Sequence, residues 1–333
     1  MERIAFINGE TFYYWSTLIL TIAAVAAMAL YASLYVKKGG NVLALTSSIM
    51  LSAVMGIPMA RFVHWYCRAA SYESFQVAMT DYGAGGYALM GVFIACMLAA
   101  VIVRILRISD NLPRMLDCMA IGGGAGIAIG RLASLFNTSD RGMVIPEEVG
   151  FPFAAPVTNV VSGALENRLA TFMLQSMLTA GIVLVLLIYM GWHGIRKKKI
   201  PDGDLFLLFL MVYGACQVIC DSTRYDSLFF RSNGFVSIVQ ILSTAALTIP
   251  ILIFSIIMVK RQGFRLWQPL LWILILGMMG AAGYMEYYVQ RHGTEAVFAY
   301  SVMGSALVII VALSLVIYRL GLRKKRKKTA SRS

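Results

Sequence analysis

Nine apolar runs, each near or above twenty residues, recur along this chain at about 12–36, 42–66, 83–103, 114–136, 169–190, 204–222, 235–258, 267–285 and 296–318. A helix needs about twenty such residues to cross a hydrocarbon layer of roughly 30 Å. The composition agrees: 59% of the 333 residues are hydrophobic and only 14% are charged. The expected fold is all-α, a polytopic membrane helix bundle of about nine spans. Seven spans form a core, and two plainer ones follow it.

The net charge of +13 raises the question of nucleic acid, and its placement argues against that class of partner. Every lysine falls in an alternate loop: Lys37 and Lys38, Lys197–Lys199, Lys260, and the RKKRKK tail. Arg104, Arg107 and Arg114 lie between the third and fourth spans. By the positive-inside rule these loops are cytoplasmic, which places the N-terminus outside and the C-terminus inside. The tail, residues 320–333, is expected to fix orientation and touch anionic lipid. Residues 1–11 carry Glu2, Arg3 and Glu10 without a basic leader, so no cleavable signal peptide is expected. The five cysteines stand singly or inside spans, and His64, His193 and His292 lie far apart in sequence. No metal and no cofactor are expected.

Outer loops are more varied. The longest, about 138–168, holds Pro146, Pro152, Pro156, Glu147, Glu148 and Glu166. A connection of that length usually folds into a lid or small head. No internal repeat is visible, which weighs against an inverted-repeat transporter.

Residues 114–142, RMLDCMAIGGGAGIAIGRLASLFNTSDRG, carry the most chemistry. Gly122, Gly126 and Gly130 step by four and make one smooth helix face that admits another backbone. Arg131 follows inside the apolar run, where a guanidinium costs roughly 2.5–3.5 kcal/mol on insertion scales. Either a buried acid such as Asp221 pairs with it, or it binds a phosphate through its planar fork. On the sixth span Tyr213, Gln217 and Asp221 step by four along one face, with Arg224 a turn beyond. Such a stripe points into a bundle or cavity. On the second span Arg61 and His64 fall near the outer surface, after Pro58. Arg61 can snorkel to the interface. His64 is the histidine placed to act as a base near the outer leaflet.

The pattern resembles the prolipoprotein diacylglyceryl transferases. GRLASLFNTSDRG keeps Gly130, Arg131, Asn137 and Gly142 of that family's signature, and YGACQVICDSTR is similar to its later motif in Tyr213, Gly214 and Arg224, with Asp221 replacing a glutamate. GFVSIVQILSTAALTIPI at 234–251 resembles its next helix, MARFV at 59–63 matches the arginine of its second helix, and ENRLATFMLQ keeps Arg168. The likeness covers roughly residues 10–258. There are departures. The family's histidine has no counterpart, and Gly86 stands at the best-aligned position. Ser134 replaces an asparagine, and Gln217 an arginine.

The resemblance implies an integral enzyme of the bacterial plasma membrane. It would move the diacylglyceryl group of phosphatidylglycerol, or another anionic phospholipid, to the lipobox cysteine of a prolipoprotein signal peptide. Residues 1–258 would form the transferase-like core and 259–319 two added helices. Arg131 would hold the phosphate, assisted by Arg224, Arg168 or Arg61, with Asn137, Ser134, Tyr213 and Gln217 completing the substrate site. Asp221 would orient an arginine or take a proton, as His64 or Tyr87 would. The glycine-lined helix would give acyl chains side access. The alternative is a phospholipid- or partner-binding protein of the same fold whose chemistry is altered.

Overall fold

A computed structural model describes residues 4–8, 11–81, 86–109, 111–159, 162–229, 236–292 and 295–322. Most of the basic tail expected at 320–333 lies outside the described residues. Eight helices are long and apolar enough to cross a membrane. They are α1 (Trp15–Lys37), α2 (Val42–Cys67), α5 (Leu112–Gly130, continued by a 3-10 turn Arg131–Phe136), α6 (Thr171–Ile195), α7 (Asp204–Ser222), α8 (Ile238–Gln262), α9 (Gln268–Arg291) and α10 (Ala296–Leu322). The expected span at 83–103 starts later, as α4 (Leu89–Ile105), an apolar helix of 17 residues. A short helix, α3 (Phe75–Thr80), precedes it. The chain is a polytopic helical membrane bundle, and its fold class is the expected one.

Two antiparallel hairpins interrupt the helical pattern. Strands β1 (Ile4–Asn8) and β2 (Thr11–Tyr14) precede α1. Strands β3 (Ala154–Thr158) and β4 (Leu165–Leu169) lie in the long loop before α6, with Ala154 opposite Leu169 and Thr158 opposite Leu165. The long loop expected to form a lid or head thus contains a hairpin.

The chain divides into two compact units. The first holds residues up to Phe209 together with Cys220–Ile241. The second holds Leu210–Ile219 and Leu242 onward, so the middle of α7 and most of α8 go with α9 and α10.

Within the first unit the glycine face of α5 meets α1. A Cβ on Gly122 would fall 2.7 Å from the Ala27 carbonyl oxygen and 2.8 Å from Tyr31 Cβ, and one on Gly126 would fall 2.8 Å from Ala27 Cβ. Lipid tails are as apolar as leucine, so close backbone packing rather than burial from water holds such helices together. This corrects the side-access expectation: the stripe is filled by α1 and gives acyl chains no entry there. Gly91 of α4 repeats the device against α2, since a Cβ there would lie 2.4 Å from the Met59 carbonyl oxygen.

Local chemistry sets the helix starts. Asn41 accepts from Leu43 N at the start of α2, and Asn111 from Arg114 N at the start of α5, where Pro113 suits the first turn. The start of α7 is capped from outside its own segment. Buried Asp117 of α5 accepts from Gly203 N at 2.9 Å and Phe206 N at 2.8 Å.

In the second unit Gly214 lets α7 lie against α8, where a Cβ would meet the Ser243 carbonyl oxygen at 2.6 Å. Helices α9 and α10 pack against each other. Trp272 of α9 donates to Ser255 Oγ of α8 at 3.2 Å.

Candidate functional site

Arg131 ends α5 and opens the 3-10 turn, so its side chain leaves the helix at the edge of the apolar segment. Its Nη1 lies 2.9 Å from Asp140 Oδ1. The same oxygen is 2.8 Å from Nη2 of Arg224, which follows α7. Ser134 Oγ donates to Asp140 Oδ2 at 2.9 Å. One carboxylate therefore joins two guanidiniums from separate helix ends. Burial opposes its charge, but Arg131 and Arg224 outweigh burial and hold its pKa down at about 2. Burial likewise opposes the charge of Arg224, yet Asp140 and Asp226 outweigh it and keep the guanidinium above its ordinary range. Asp226 accepts from Arg224 Nε at 2.9 Å and from the Asp140 backbone N at 3.0 Å.

The next residue adds a third cation. Arg141 is buried, donates through Nη2 to the carbonyls of Ser134 (3.1 Å) and Asn137 (3.0 Å), and stacks on Phe172 at 4.5 Å. Burial pulls its pKa below the usual arginine range, with Asp140 opposing. Among the described residues, Arg131 Nε and Arg141 Nε and Nη1 are buried without a hydrogen-bond acceptor.

Gly142 explains why the signature closes on glycine. A Cβ there would lie 2.6 Å from Thr171 Oγ1 and 2.9 Å from Leu169 Cβ. Its backbone bridges to Arg224 and donates to the Leu169 carbonyl at 2.8 Å. Arg168 on β4 pairs with Glu166 at 2.8 Å, donates to the Gly142 carbonyl at 3.4 Å and stacks on Tyr225 at 4.6 Å. Asn137 forms a local turn, accepting from Ser139 N at 3.0 Å.

The structure pairs Arg131 with Asp140, not with Asp221, the acid that the sequence offered as one alternative to a phosphate. Asp221 ends α7 and is buried, 3.8 Å from Arg224 Nη1. Ser237 donates to its Oδ2, and Ser227 Oγ donates to its carbonyl at 3.0 Å. Ser237 also opens α8 through a reciprocal cap: its Oγ accepts from Gln240 N, and its N donates to Gln240 Oε1, both at 3.0 Å. Gln240, in the 234–251 stretch that resembles the family's next helix, thus fixes the serine that holds Asp221.

A second cluster surrounds Arg61 and His64. Arg61 does not snorkel. It is fully buried. Nε donates to the Ala78 carbonyl at 2.7 Å, Nη2 to the Asp81 carbonyl, and Nη1 lies 3.5 Å from both Tyr72 Oη and the Gly86 carbonyl. The guanidinium faces the rings of Tyr72 and Tyr87 at 5.3 and 5.4 Å. His64 Nδ1 is 2.7 Å from Tyr72 Oη. Gly86 has φ +81°, and a Cβ there would fall 2.9 Å from the His64 ring and 2.4 Å from Tyr72 Oη. The imidazole fills the space into which a side chain at position 86 would project. Arg68, one turn after His64, donates to the Asp226 carbonyl at 3.2 Å and links this cluster to the first.

Of the expected residues, the structure brings together Arg131, Ser134, Asn137, Asp221, Arg224 and, through Gly142, Arg168. Arg61 and His64 form the adjoining cluster. Tyr213 and Gln217 are buried on the part of α7 that belongs to the second unit. The sequence reading missed Asp140, Arg141, Asp226 and Tyr72. Asp140 and Arg141 stand inside the quoted signature as an acid–base pair directly before its last glycine. Ser237 and Gln240 have the spacing of a capping box.

The helices and this centre define a multi-pass membrane protein with a buried arginine–carboxylate cradle where α5 and α7 end. The chain belongs to the prolipoprotein diacylglyceryl transferase family, whose family model matches residues 3–260. Its relatives include the phosphatidylglycerol–prolipoprotein diacylglyceryl transferase of Streptococcus pyogenes serotype M3, 25% identical over 80% of this chain and 99% of the relative. Those of Parasynechococcus marenigrum and Oceanobacillus iheyensis are each 24% identical, over 72% and 73% of this chain and 88% and 85% of the relatives.

Proposed function

We propose that this protein transfers the diacylglyceryl group of phosphatidylglycerol, or a similar anionic phospholipid, to the lipobox cysteine of a prolipoprotein signal peptide. It acts from the bacterial plasma membrane with its N-terminus outside and its C-terminus cytoplasmic. The observation that carries this reading is the convergence of Arg131 and Arg224, from separate helix ends, on one anion.

The chemistry requires a thiol of pKa near 8.5 to lose its proton. The sulfur bonds to C3 of the glyceryl group, the C3–O bond breaks, and its electron pair leaves on the phosphate oxygen as glycerol phosphate. Arg131 and Arg224 stabilise that developing charge in a water-poor site. Asp221 orients Arg224 and the turn after α7. Arg61 clamps the backbone at Ala78 and Asp81 beside His64 of α2, and Arg168, Ser134 and Asn137 shape the outer wall. Tyr213 and Gln217, by the family resemblance, are further candidates for substrate binding. His64 takes the thiol proton: Nδ1 lies 2.7 Å from Tyr72 Oη, and the tautomer that donates Nδ1–H to that oxygen leaves Nε2 as the base.

Complementation of a transferase-depleted bacterium, with mass analysis of lipoprotein N-termini, tests this. A diacylglyceryl mass shift is expected. Its absence, with phospholipid binding retained, favours the second reading, a lipid-binding protein with altered chemistry, which glycine at position 86 supports. Arg131→Ala is expected to abolish release of glycerol phosphate by the purified enzyme, and retained turnover would remove Arg131 from its role.

A further inference from the structure

The cradle already holds an anion, and it belongs to the protein. Asp140 Oδ1 receives Arg131 at 2.9 Å and Arg224 at 2.8 Å, the two guanidiniums proposed for the phosphate. The carboxylate is steered from three further directions. Ser134 Oγ donates to its other oxygen at 2.9 Å, its backbone N donates to Asp226 at 3.0 Å, and its carbonyl accepts from Phe172 N at 3.2 Å. Its backbone adopts φ +57°, a left-handed conformation that asparagine and aspartate tolerate better than most residues. Beside it, Arg131 Nε and Arg141 Nε and Nη1 are buried N–H groups without acceptors among the described residues. Donors therefore outnumber internal acceptors, and the strongest donors are shared with a carboxylate instead of standing open.

We propose that Asp140 is a built-in competitor for the phosphate. It keeps Arg131 and Arg224 aligned in the lipid-free protein, yields them to the arriving phospholipid phosphate, and reclaims them as glycerol phosphate departs. The inference rests on the head-group reading above and adds a positioning residue that governs product release. Two guanidiniums with no resident counter-ion would hold a released phosphate monoester, which carries more charge than the diester it came from. A carboxylate on the same donors offsets that attraction. Anions that compete for the same N–H groups exclude one another, so removing one strengthens the binding of the other.

The test compares wild type with Asp140→Asn in detergent, measuring glycerol phosphate binding by calorimetry and by inhibition of turnover. Asp140→Asn is expected to bind glycerol phosphate at least tenfold more tightly, with KM for phosphatidylglycerol lowered and kcat limited by product release. Ser134→Ala, which loosens the hold on Asp140 without removing its charge, is expected to shift binding in the same direction by a smaller factor. It also serves if the asparagine variant does not fold. Unchanged or weaker binding in the folded variants, while wild type binds and turns over, overturns the role of Asp140 alone. Failure of wild type and variants alike to bind any phosphate ester overturns this inference together with the head-group reading.

Discussion

The imidazole of His64 on α2 fills the space in front of Gly86, 2.9 Å from where a Cβ on that glycine would sit. The two residues are alternatives for one volume. A side chain at 86 requires both His64 and the Tyr72 hydroxyl, 2.4 Å away, to give way, and φ +81° at 86 disfavours any residue but glycine.

Gly86→His alone is therefore expected to lower stability by about 2–4 kcal/mol, from overpacking and left-handed strain together. In the double variant with His64→Ala, part of that loss should return. Thermal unfolding in detergent reads both, and an additive pair would show that the two positions do not share space. His64→Ala alone should lower turnover at neutral pH far more than phospholipid binding.

Gly122, Gly126 and Gly130, the stepped glycines of α5, differ in how closely α1 covers them. Gly122→Ala places a methyl 2.7 Å from a backbone oxygen that cannot yield, and is expected to cost about 1–3 kcal/mol. Gly126→Ala meets a methyl at 2.8 Å and should cost somewhat less. Gly130→Ala has its nearest neighbours at 3.6 Å and should be close to neutral. Equal unfolding temperatures for the three variants would contradict the packing described.

Asp117 provides the two acceptors at the start of α7. Asp117→Ala leaves the part-buried N–H groups of Gly203 and Phe206 without these acceptors, a loss of about 1–3 kcal/mol. The readout is stability, with activity per folded molecule unchanged.

Acid should unfasten the cradle within a defined range. The Asp140 carboxyl lies at about 2 against an ordinary 3.8. A depressed carboxyl pKa stabilises the fold above the unfolded value, and that contribution is lost as pH falls through the folded one. The stability advantage of wild type over Asp140→Asn, on the order of 2 kcal/mol from this linkage, should be full above about pH 4 and fade toward pH 2. A gap that does not change over that range would show that the charge of Asp140 does not stabilise the fold.

Much of the molecule was legible along the chain because membrane insertion reads local properties. Apolar length marked the helices, with the late start of α4 as the main difference in extent. The four-residue glycine step marked a close helix contact, although not that α1 would seal it. Arg131 and Arg224 stood out because a guanidinium at an apolar helix end demands an anion. Both hairpins went unread, since strands of four or five residues carry little periodic signal.

The sequence by itself determined that this is a multi-pass membrane protein and that Arg131 must meet a negative charge, because hydrophobic length and the cost of an isolated charge are properties of a segment. Only the tertiary structure decided which charge. Asp140 rather than Asp221 sits on Arg131, and His64 rather than a residue at 86 fills the pocket beside Tyr72. Both outcomes depend on loops that join the ends of distant helices, and on distances of a few ångströms that decide an ion pair or a steric fit.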